Sequence, residues 1–465
     1  MTNIETDYLI VGAGAAGMAF ADALIAESDC DVVLVDRRDA PGGHWNDAYP
    51  FVRIHQTSAN YGVNSRVLGT ESIGPDGFYD RSTGPEICAY FRQVLDQTLL
   101  PSGRVRFLPV SEYVGDWSDS HTFVSRLTGQ TTEVAVRRRL VDSTYLEVSV
   151  PATHEPSFTV DDEARLIPVG DLVCIDEPPA GYTIIGAGKT AMDAGNWLLE
   201  HGVDPGRIRW IRPRDAWVFD RASFQPLDLI VQTIEAFADA FEALARADDI
   251  DDLWHRLEDC GELCRLDAAV EPTMFRGAIL SQDEIAASRQ IERVVRMGRV
   301  RHIGTDRIVL EEGEVPTSRD QLHVDCTARG FRTAPPRPIF EPGRITLQSL
   351  IGGFTTYNAA LVGYVESTSR DDHAKNVLCP PLPQPNEPID WIKTMCAGMN
   401  TFSAHSAEPD VGRWVSTSRL SLTRGMAEHM DDPRMQPAMA RWLSSVEPGI
   451  ANADRLLADK PVVRR

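Results

Sequence analysis

Asp7-Tyr-Leu-Ile-Val-Gly12-Ala-Gly14-Ala-Ala16-Gly17, an alanine-rich segment, and then Asp31-Val-Val-Leu-Val-Asp36 form the stretch that decides the fold. Residues 8–11 are a short apolar run, which reads as one strand of a buried parallel sheet. Gly12 permits the tight turn out of it. Gly14 lets backbone approach a pyrophosphate, and Gly17 lets the following helix pack closely on the strand. Residues 15–25 are good helix formers, so the N–H groups around Ala16 and Gly17 are expected to point at the phosphates. Residues 32–35 read as the second strand. Asp36 at its end, about 20 residues after the turn, is placed to accept hydrogen bonds from a ribose diol. Strand, turn, helix and acid together predict a dinucleotide site; the plain alternative is a tight turn with nothing bound.

A second copy of the pattern lies in mid-chain. Gly181-Tyr-Thr-Ile-Ile-Gly186-Ala-Gly188-Lys189-Thr190-Ala191-Met-Asp193 again reads as strand, glycine turn and helix. Ala191 replaces the third glycine, which this fingerprint allows. Gly186, Gly188, Lys189 and Thr190 are the candidate phosphate-binding residues, and the helix is expected to end at His201-Gly202. The next strand, residues 207–211, runs into Arg212-Pro-Arg214. Where an NAD site carries an acid, guanidinium groups can pair with a 2′-phosphate, so NADPH is expected in preference to NADH.

The residues after the first acid choose its dinucleotide. Asp36-Arg37-Arg-Asp-Ala-Pro-Gly42-Gly43-His44-Trp45 resembles the D/E-R-x-x-x-x-G-G-x-W run of FAD-binding flavoproteins, most of all the class B flavin monooxygenases with their flavin-containing, N-hydroxylating and Baeyer–Villiger branches. Tyr49-Pro-Phe-Val-Arg-Ile-His55 is similar to the Y-P-G-x-x-x-D segment of the last branch, with Phe51 in place of glycine and His55 in place of aspartate. The A-T-G strand end of the class is replaced by Asp142-Ser-Thr144, and its F-x-G-x-x-x-H fingerprint is missing.

The resemblance implies an α/β fold of two Rossmann-type dinucleotide-binding domains, one for FAD and one for NADPH, with a helical insertion and a helical C-terminal region. Residues 1–165 and 321–380 would be the two segments of the FAD domain. Residues 166–320 would be the nicotinamide domain, with its insertion at about 227–298, and residues 381–465 the C-terminal helices. It further implies hydride transfer from NADPH to the flavin, followed by oxygenation of a small molecule through a C4a-peroxyflavin. An NADPH-dependent flavin oxidase, reductase or dehydrogenase is the alternative, and a flavin-binding protein without turnover is a third. Trp45, His55 and Asn60 are the candidate catalytic residues, with Trp45 beside the flavin and the other two hydrogen-bonding the oxygens. His55, as an imidazole, is expected to titrate near neutral pH. Gly43 and His44 would flank the ribityl and phosphate portion. Thr356 or Asn358 is the expected N-cap of a helix from residue 359 whose N-terminus would sit under the flavin ring.

Composition bounds the rest. The chain has 465 residues, enough for two or three domains, and 43% of them are hydrophobic, enough for sizeable cores. A net charge of −22 opposes nucleic acid and anionic membranes as partners. No run has the ~20 apolar residues of a membrane helix, and with the first strand at residue 8 a cytoplasmic protein is expected. The expected partners are a small-molecule substrate and molecular oxygen, with a homo-oligomer left open. Eight scattered cysteines without C-x-x-C give no dithiol or zinc pattern; Cys260 and Cys264 read as one buried helical face. Residues 105–108, 123–127 and 132–136 read as a β-meander. Ile230, Ile234, Phe237, Phe241 and Leu244 form one apolar helical stripe, open to roles as core, lid or dimer surface. Further helices are expected at 392–399, 411–430 and 436–457.

Overall fold

The computed structural model describes residues 2–117 and 121–458. Strand β1 (Thr2–Val11) leads through the first glycine turn into helix α1 (Ala15–Glu27) and strand β2 (Val32–Val35). Helix α2 (Gly84–Val94) opens on a capping box between Thr83 and Glu86 and leads to β3 (Val105–Leu108). A hairpin of β4 (Ser111–Tyr113) and β5 (Thr122–Ser125) runs into the long β6 (Thr131–Asp142). In β1, Tyr8 and Ile10 face one core and Leu9 and Val11 the other, the alternation that a sheet covered on both faces requires. Helix α1 is buried on almost every side, which is why its sequence is apolar all round.

The chain crosses to a second domain through β7 (Val148–Ser149). There follow β8 (Thr159–Val160), β9 (Arg165–Pro168), β10 (Gly181–Ile185), helix α3 (Lys189–Glu200), β11 (Ile208–Ile211) and β12 (Ala216–Asp220). Helices α4 (Ile230–Arg246) and α5 (Ile250–Asp259) precede β13 (Leu263–Cys264), β14 (Met274–Leu280) and α6 (Gln282–Arg289). Strands β15 (Arg293–Val295), β16 (Val300–Ile303), β17 (Arg307–Leu310), β18 (Gly313–Pro316) and β19 (Gln321–Asp325) complete this domain. β20 (Gly330–Phe331) pairs with β7 on the way back, and β21 (Phe340–Glu341) and β22 (Arg344–Thr346) rejoin the first sheet. Helices α7 (Thr355–Ser367), α8 (Asp372–Leu378), α9 (Asp390–Ala407), α10 (Pro409–Thr417) and α11 (Met435–Ala458) end the described chain.

The first sheet has the order β21-β22-β6-β1-β2-β3, and the second, parallel throughout, β15-β11-β10-β19-β9. Each dinucleotide turn therefore leaves a strand with neighbours on both sides. In open parallel sheets the ligand crevice lies outside the carboxyl ends of such strands.

Several expectations need correction. Residues 105–108 are no part of the meander: β3 runs parallel to β2 as an edge of the main sheet. The meander is β4-β5-β6, and β6 continues past it to become the inner neighbour of β1. Residues 321–325 do not return to the first domain; β19 lies beside β10, and the return comes only at β21 and β22. The 227–298 insertion is not helical throughout: after α4 and α5 it forms strands β13 and β14 before the short α6. Its helices pack on α9 and α11 around Trp217, Trp254, Trp391 and Trp442, so insertion and C-terminal region share one core. Ile230, Ile234, Phe241 and Leu244 are buried in it. The helix expected at 411–430 stops at Thr417. Cys264 lies in a strand and Cys260 is exposed, so they share no helical face.

Candidate functional site

The first glycine turn is tightly built. Gly12 has φ +100°, and a Cβ there would come within 2.6 Å of Ser143 Oγ. A Cβ on Gly17 would overlap the Gly12 carbonyl oxygen. Ser143 Oγ donates to the carbonyls of Val11 and Gly12 at 2.7 Å each. Gly14 caps α1 with no side-chain oxygen, so the first-turn N–H groups around Ala16 have no side-chain cap. Gly42 and Gly43 both have positive φ, and a Cβ on Gly43 would lie 2.9 Å from the Gly14 Cα. The two glycine segments thus press on each other as one cradle. Asp36 accepts from the Ala13 N–H at 2.6 Å and from the Arg38 N–H at 2.8 Å, fixing the turn from behind. Arg37 points outward in an ion pair with Glu147.

The second turn repeats the construction. Gly186 has φ +137°, and a Cβ there would sit 2.7 Å from the Cys326 carbonyl oxygen. Gly188 caps α3 without a side-chain bond, and a Cβ on it would meet open space. Beside each turn the neighbouring strand ends in the same device. Thr144 bonds Asp142 Oδ1 through its N–H and hydroxyl at 2.9 and 2.8 Å, and Thr327 bonds Asp325 Oδ1 at 2.8 and 2.6 Å. Asp142-Ser-Thr144 therefore stands in the first domain where Asp325-Cys-Thr327 stands in the second.

Helix α3 faces the first domain through residues four apart. Lys189 pairs with Asp193, and Asp193 accepts from the Tyr49 hydroxyl at 2.6 Å. Trp197 stacks on Phe51 with ring centroids 4.9 Å apart. Thr190 lies on the same first turn. A little further on, Arg221, almost wholly buried, donates to the His55 carbonyl at 2.7 Å and pairs with Glu284, which also pairs with Arg81. Burial pushes the Glu284 carboxyl up, but Lys189, Arg221 and Arg81 outweigh it and hold it down at about 2.

The expected catalytic residues fall out differently. His55 keeps exposed surface yet lies among the charges of Lys189, Asp193, Arg221 and Arg81. Desolvation, with Lys189 adding to it, lowers its pKa to about 4. This direction is away from the expected titration near neutrality and favours the neutral imidazole. His44 is held near 4 by the same desolvation, with Arg38 adding to it. Trp45 lies against His44 and donates from Nε1 to the Tyr61 hydroxyl at 2.8 Å. Asn60 does not face the cleft with a free amide. It is buried, accepts from Thr57 and donates to the Ser421 carbonyl at 2.7 Å, tying its loop to the segment after α10. Arg419 on that segment donates to the carbonyls of Tyr61 and Val63.

Neither expected N-cap caps α7. The helix begins at Thr355 behind Phe354, so Thr356 and Asn358 lie inside its first turn. Asn358 instead bonds both the N–H and the carbonyl of Ile351, at 3.1 and 2.8 Å. Thr356 Oγ1 is buried with no hydrogen-bond partner among the described residues. Phe354 meets Phe224 of the second domain, with centroids 6.4 Å apart.

The two arginines after β11 also part company. Arg212 is buried, stacks on Trp210 at 4.1 Å and pairs with Asp215 at 2.7 Å, and Asp215 is shared with Arg296. It does not stand open at the strand end, which corrects its expected place beside Arg214. Arg214 donates to the carbonyls of Thr273 and Asn386. Arg276 on β14, which no sequence pattern marks, donates to Asn386 Oδ1 at 2.9 Å.

Comparisons agree with this architecture. The profile of the NAD(P)-binding Rossmann-like domain family matches residues 10–66. Proteins of Mycobacterium tuberculosis and Mycobacterium bovis, described as uncharacterized, are each 43% identical over 429 residues that span 90% of this chain and 78% of theirs. Among solved structures, a polycyclic ketone monooxygenase from the fungus Thermothelomyces thermophila superposes with a TM-score of 0.51 at 13% identity, over 97% of this chain and 90% of that one. The fold is the two-dinucleotide-domain fold of the class B flavin monooxygenases.

Proposed function

The chain belongs to one family with the two mycobacterial proteins, and on that premise we propose that it is an FAD-dependent, NADPH-using oxidoreductase, a monooxygenase of a small organic substrate and molecular oxygen. The observation that carries the reading is the pair of glycine turns built alike in two domains, the second docked through α3 on the loop that follows the first. The residues fit the groups. The cradle of Gly12, Gly14, Gly17 and Gly43 admits backbone close to a pyrophosphate, and Asp36 keeps lone pairs for a ribose. Gly186, Gly188, Lys189 and Thr190 offer the second dinucleotide an open, uncapped helix N-terminus.

When bound, FAD supplies hydride acceptance and oxygen activation. The chain's own residues set the surroundings. Trp45, held by Tyr61, walls one side of the cleft. Phe224 and Phe354 bring an apolar pair to the start of α7 and exclude water there. The partial positive charge of that helix end favours negative charge nearby. The buried Thr356 hydroxyl still has a bond to give. His55, neutral, can donate from one ring nitrogen and accept at the other.

The test begins with the chromophore: purified protein should be yellow and release FAD, not FMN, on denaturation. Anaerobic NADPH should bleach it, and oxygen should then restore the colour through a spectroscopically distinct species, with less hydrogen peroxide released when substrate is present. Direct return to oxidised flavin with one peroxide per NADPH would make it an oxidase. No bleaching by NADPH would leave a flavin-binding protein without this turnover.

A further inference from the structure

Between α10 and α11 the chain crosses to the first domain and is stapled to the loop of residues 57–71. Ser418 Oγ and the Arg419 N–H both donate to Asn64 Oδ1, at 2.9 and 3.1 Å. Asn60 donates to the Ser421 carbonyl, and Arg424 donates to the Ala59 carbonyl and pairs with Glu71 at 2.6 Å. Arg419 stands at the centre with a buried side chain. Its Nη1 donates to the carbonyls of Tyr61 and Val63 at 2.9 and 2.7 Å, and its Nη2 to those of Tyr61 and Ser58 at 3.0 and 3.4 Å. Among the described residues no carboxylate pairs with it: Asp22 nearby is taken by Ser65, and Glu71 by Arg424. A buried guanidinium without an acid is costly unless hydrogen bonds answer it, so these carbonyls are what keeps it there. The far end of the loop is held by the first domain itself. The Tyr90 hydroxyl accepts from the Val63 N–H and donates to the Arg66 carbonyl, and Asp22 accepts from the Ser65 N–H. Toward Tyr61 that support passes to Arg419, and the Tyr61 hydroxyl is the acceptor for Trp45 Nε1 at 2.8 Å. On its other side the same segment places Leu422 and Thr423, with Ile351 and Tyr357, around a small apolar cavity of about 30 Å³ beside the start of α7.

We propose that Arg419 is a positioning residue of the flavin site: by gripping the Tyr61 main chain it keeps the Tyr61 hydroxyl on Trp45, and so holds the indole beside the flavin. The proposal rests on the flavin reading given above and adds to it a residue 358 positions from Tyr61 in the chain. A guanidinium suits the task, because its planar fork serves several carbonyls in fixed directions where an ammonium cannot. Without it the Tyr61 end of the loop loses its grip from the C-terminal side, the indole loses its partner, and water gains access to the cleft that Trp45 walls.

The test follows the indole N–H resonance of Trp45 in isotope-labelled, FAD-loaded full-length protein, assigned by its loss in Trp45→Phe. In Arg419→Gln that proton should exchange with water at least about tenfold faster, the effect expected when charge-assisted hydrogen bonds to a loop are removed. The flavin emission should rise as the indole moves away. Arg419→Lys keeps the charge without the fork, so its exchange should fall between wild type and Arg419→Gln; if Arg419→Gln does not fold, the faster exchange is read from Arg419→Lys. Tyr61→Phe removes the acceptor itself, and adding Arg419→Gln to it should change the exchange little further, because residues acting through one another are not additive. Arg370→Gln breaks the ion pairs of Arg370 with Glu408 and Asp410 at the start of α10 and serves as the control for loosened C-terminal packing. It should lower the melting temperature and leave the Trp45 exchange as in wild type. Unchanged exchange in flavin-loaded Arg419→Gln, equal acceleration in Arg370→Gln, or full additivity with Tyr61→Phe would overturn this proposal and leave the flavin reading standing. Wild-type protein that takes up no FAD would overturn the flavin reading itself, and this role with it.

Discussion

The Tyr49 hydroxyl donates to Asp193 at 2.6 Å across the seam between the two dinucleotide domains. Asp193 holds Lys189 with its other oxygen, and Phe51 stacks on Trp197 one turn further along the same helix. Burial raises the Tyr49 phenol well above its usual range, with Asp193 adding to it, so the donor stays protonated. This seam fixes how α3 meets the loop that carries Trp45 and His55. A hydrogen bond to a charged group contributes about 1.5–3 kcal/mol. Tyr49→Phe should therefore destabilise the protein by an amount of that order in urea unfolding. It should also speed hydrogen exchange across residues 46–56, while exchange in β1 and β6 stays unchanged. Uniform acceleration throughout the first domain would show that Tyr49 supports that domain and not the seam.

The two glycine turns should respond differently to added bulk. Gly17→Ala places a methyl on the Gly12 carbonyl, backbone against backbone, so the α1–β1 packing must give way. Loss of both flavin and soluble yield is expected. Gly188→Val points its side chain into open space. That variant should fold, keep its flavin and lose affinity for the pyrophosphate of the second dinucleotide by at least about tenfold. Flavin content and titration with ADP-ribose read out the two cases. Full flavin occupancy in Gly17→Ala would mean the turn is not built as described.

The pH response of His55 follows from its surroundings. With a folded-state value near 4, set by desolvation, it stays neutral from pH 8 down to about 5. A profile of NADPH-dependent flavin reduction should show no inflection from His55 between pH 6 and 8. Proton NMR of a His55→Gln variant against wild type identifies its resonance. Titration of that resonance near pH 6.5 would show the ring to be freely hydrated.

Glu262 gives a pH effect of the opposite kind. It is buried beside Trp391 and Ser223, and burial lifts its carboxyl from the usual 4.5 to about 7, with Asp220 and Asp239 adding to the rise. Below pH 4.5 it is protonated in both folded and unfolded chains and contributes nothing. As pH rises through that value only the unfolded chain loses the proton, so stability falls until about pH 7 and then levels off. The full shift corresponds to about 3 kcal/mol. Glu262→Gln removes the titration, so it should be more stable than wild type at pH 8 and similar to it at pH 4.5. A variant less stable than wild type at pH 8 would mean that the carboxylate is paired and wanted there.

Much of the fold was legible in residues 7–45 and 181–193, because a parallel strand, a glycine turn and a helix are local structures. Gly12 and Gly186 are needed at positive φ by their own turns, and α1 is apolar all round because it lies under a sheet. Such demands are met within about forty residues and leave a mark on the sequence. Partnership across the chain leaves none. Nothing local says that β19 lies beside β10, that Asn60 spends its amide on Ser421, or that Asp215, although only three residues from Arg212, turns back onto it and also takes Arg296. The same limit hid Arg419, which is one arginine among many until the segment after α10 brings it to Tyr61. The sequence by itself determined the two dinucleotide folds; only the tertiary structure decided which charges are already answered, because a charge's availability depends on which side chains the folded chain brings beside it.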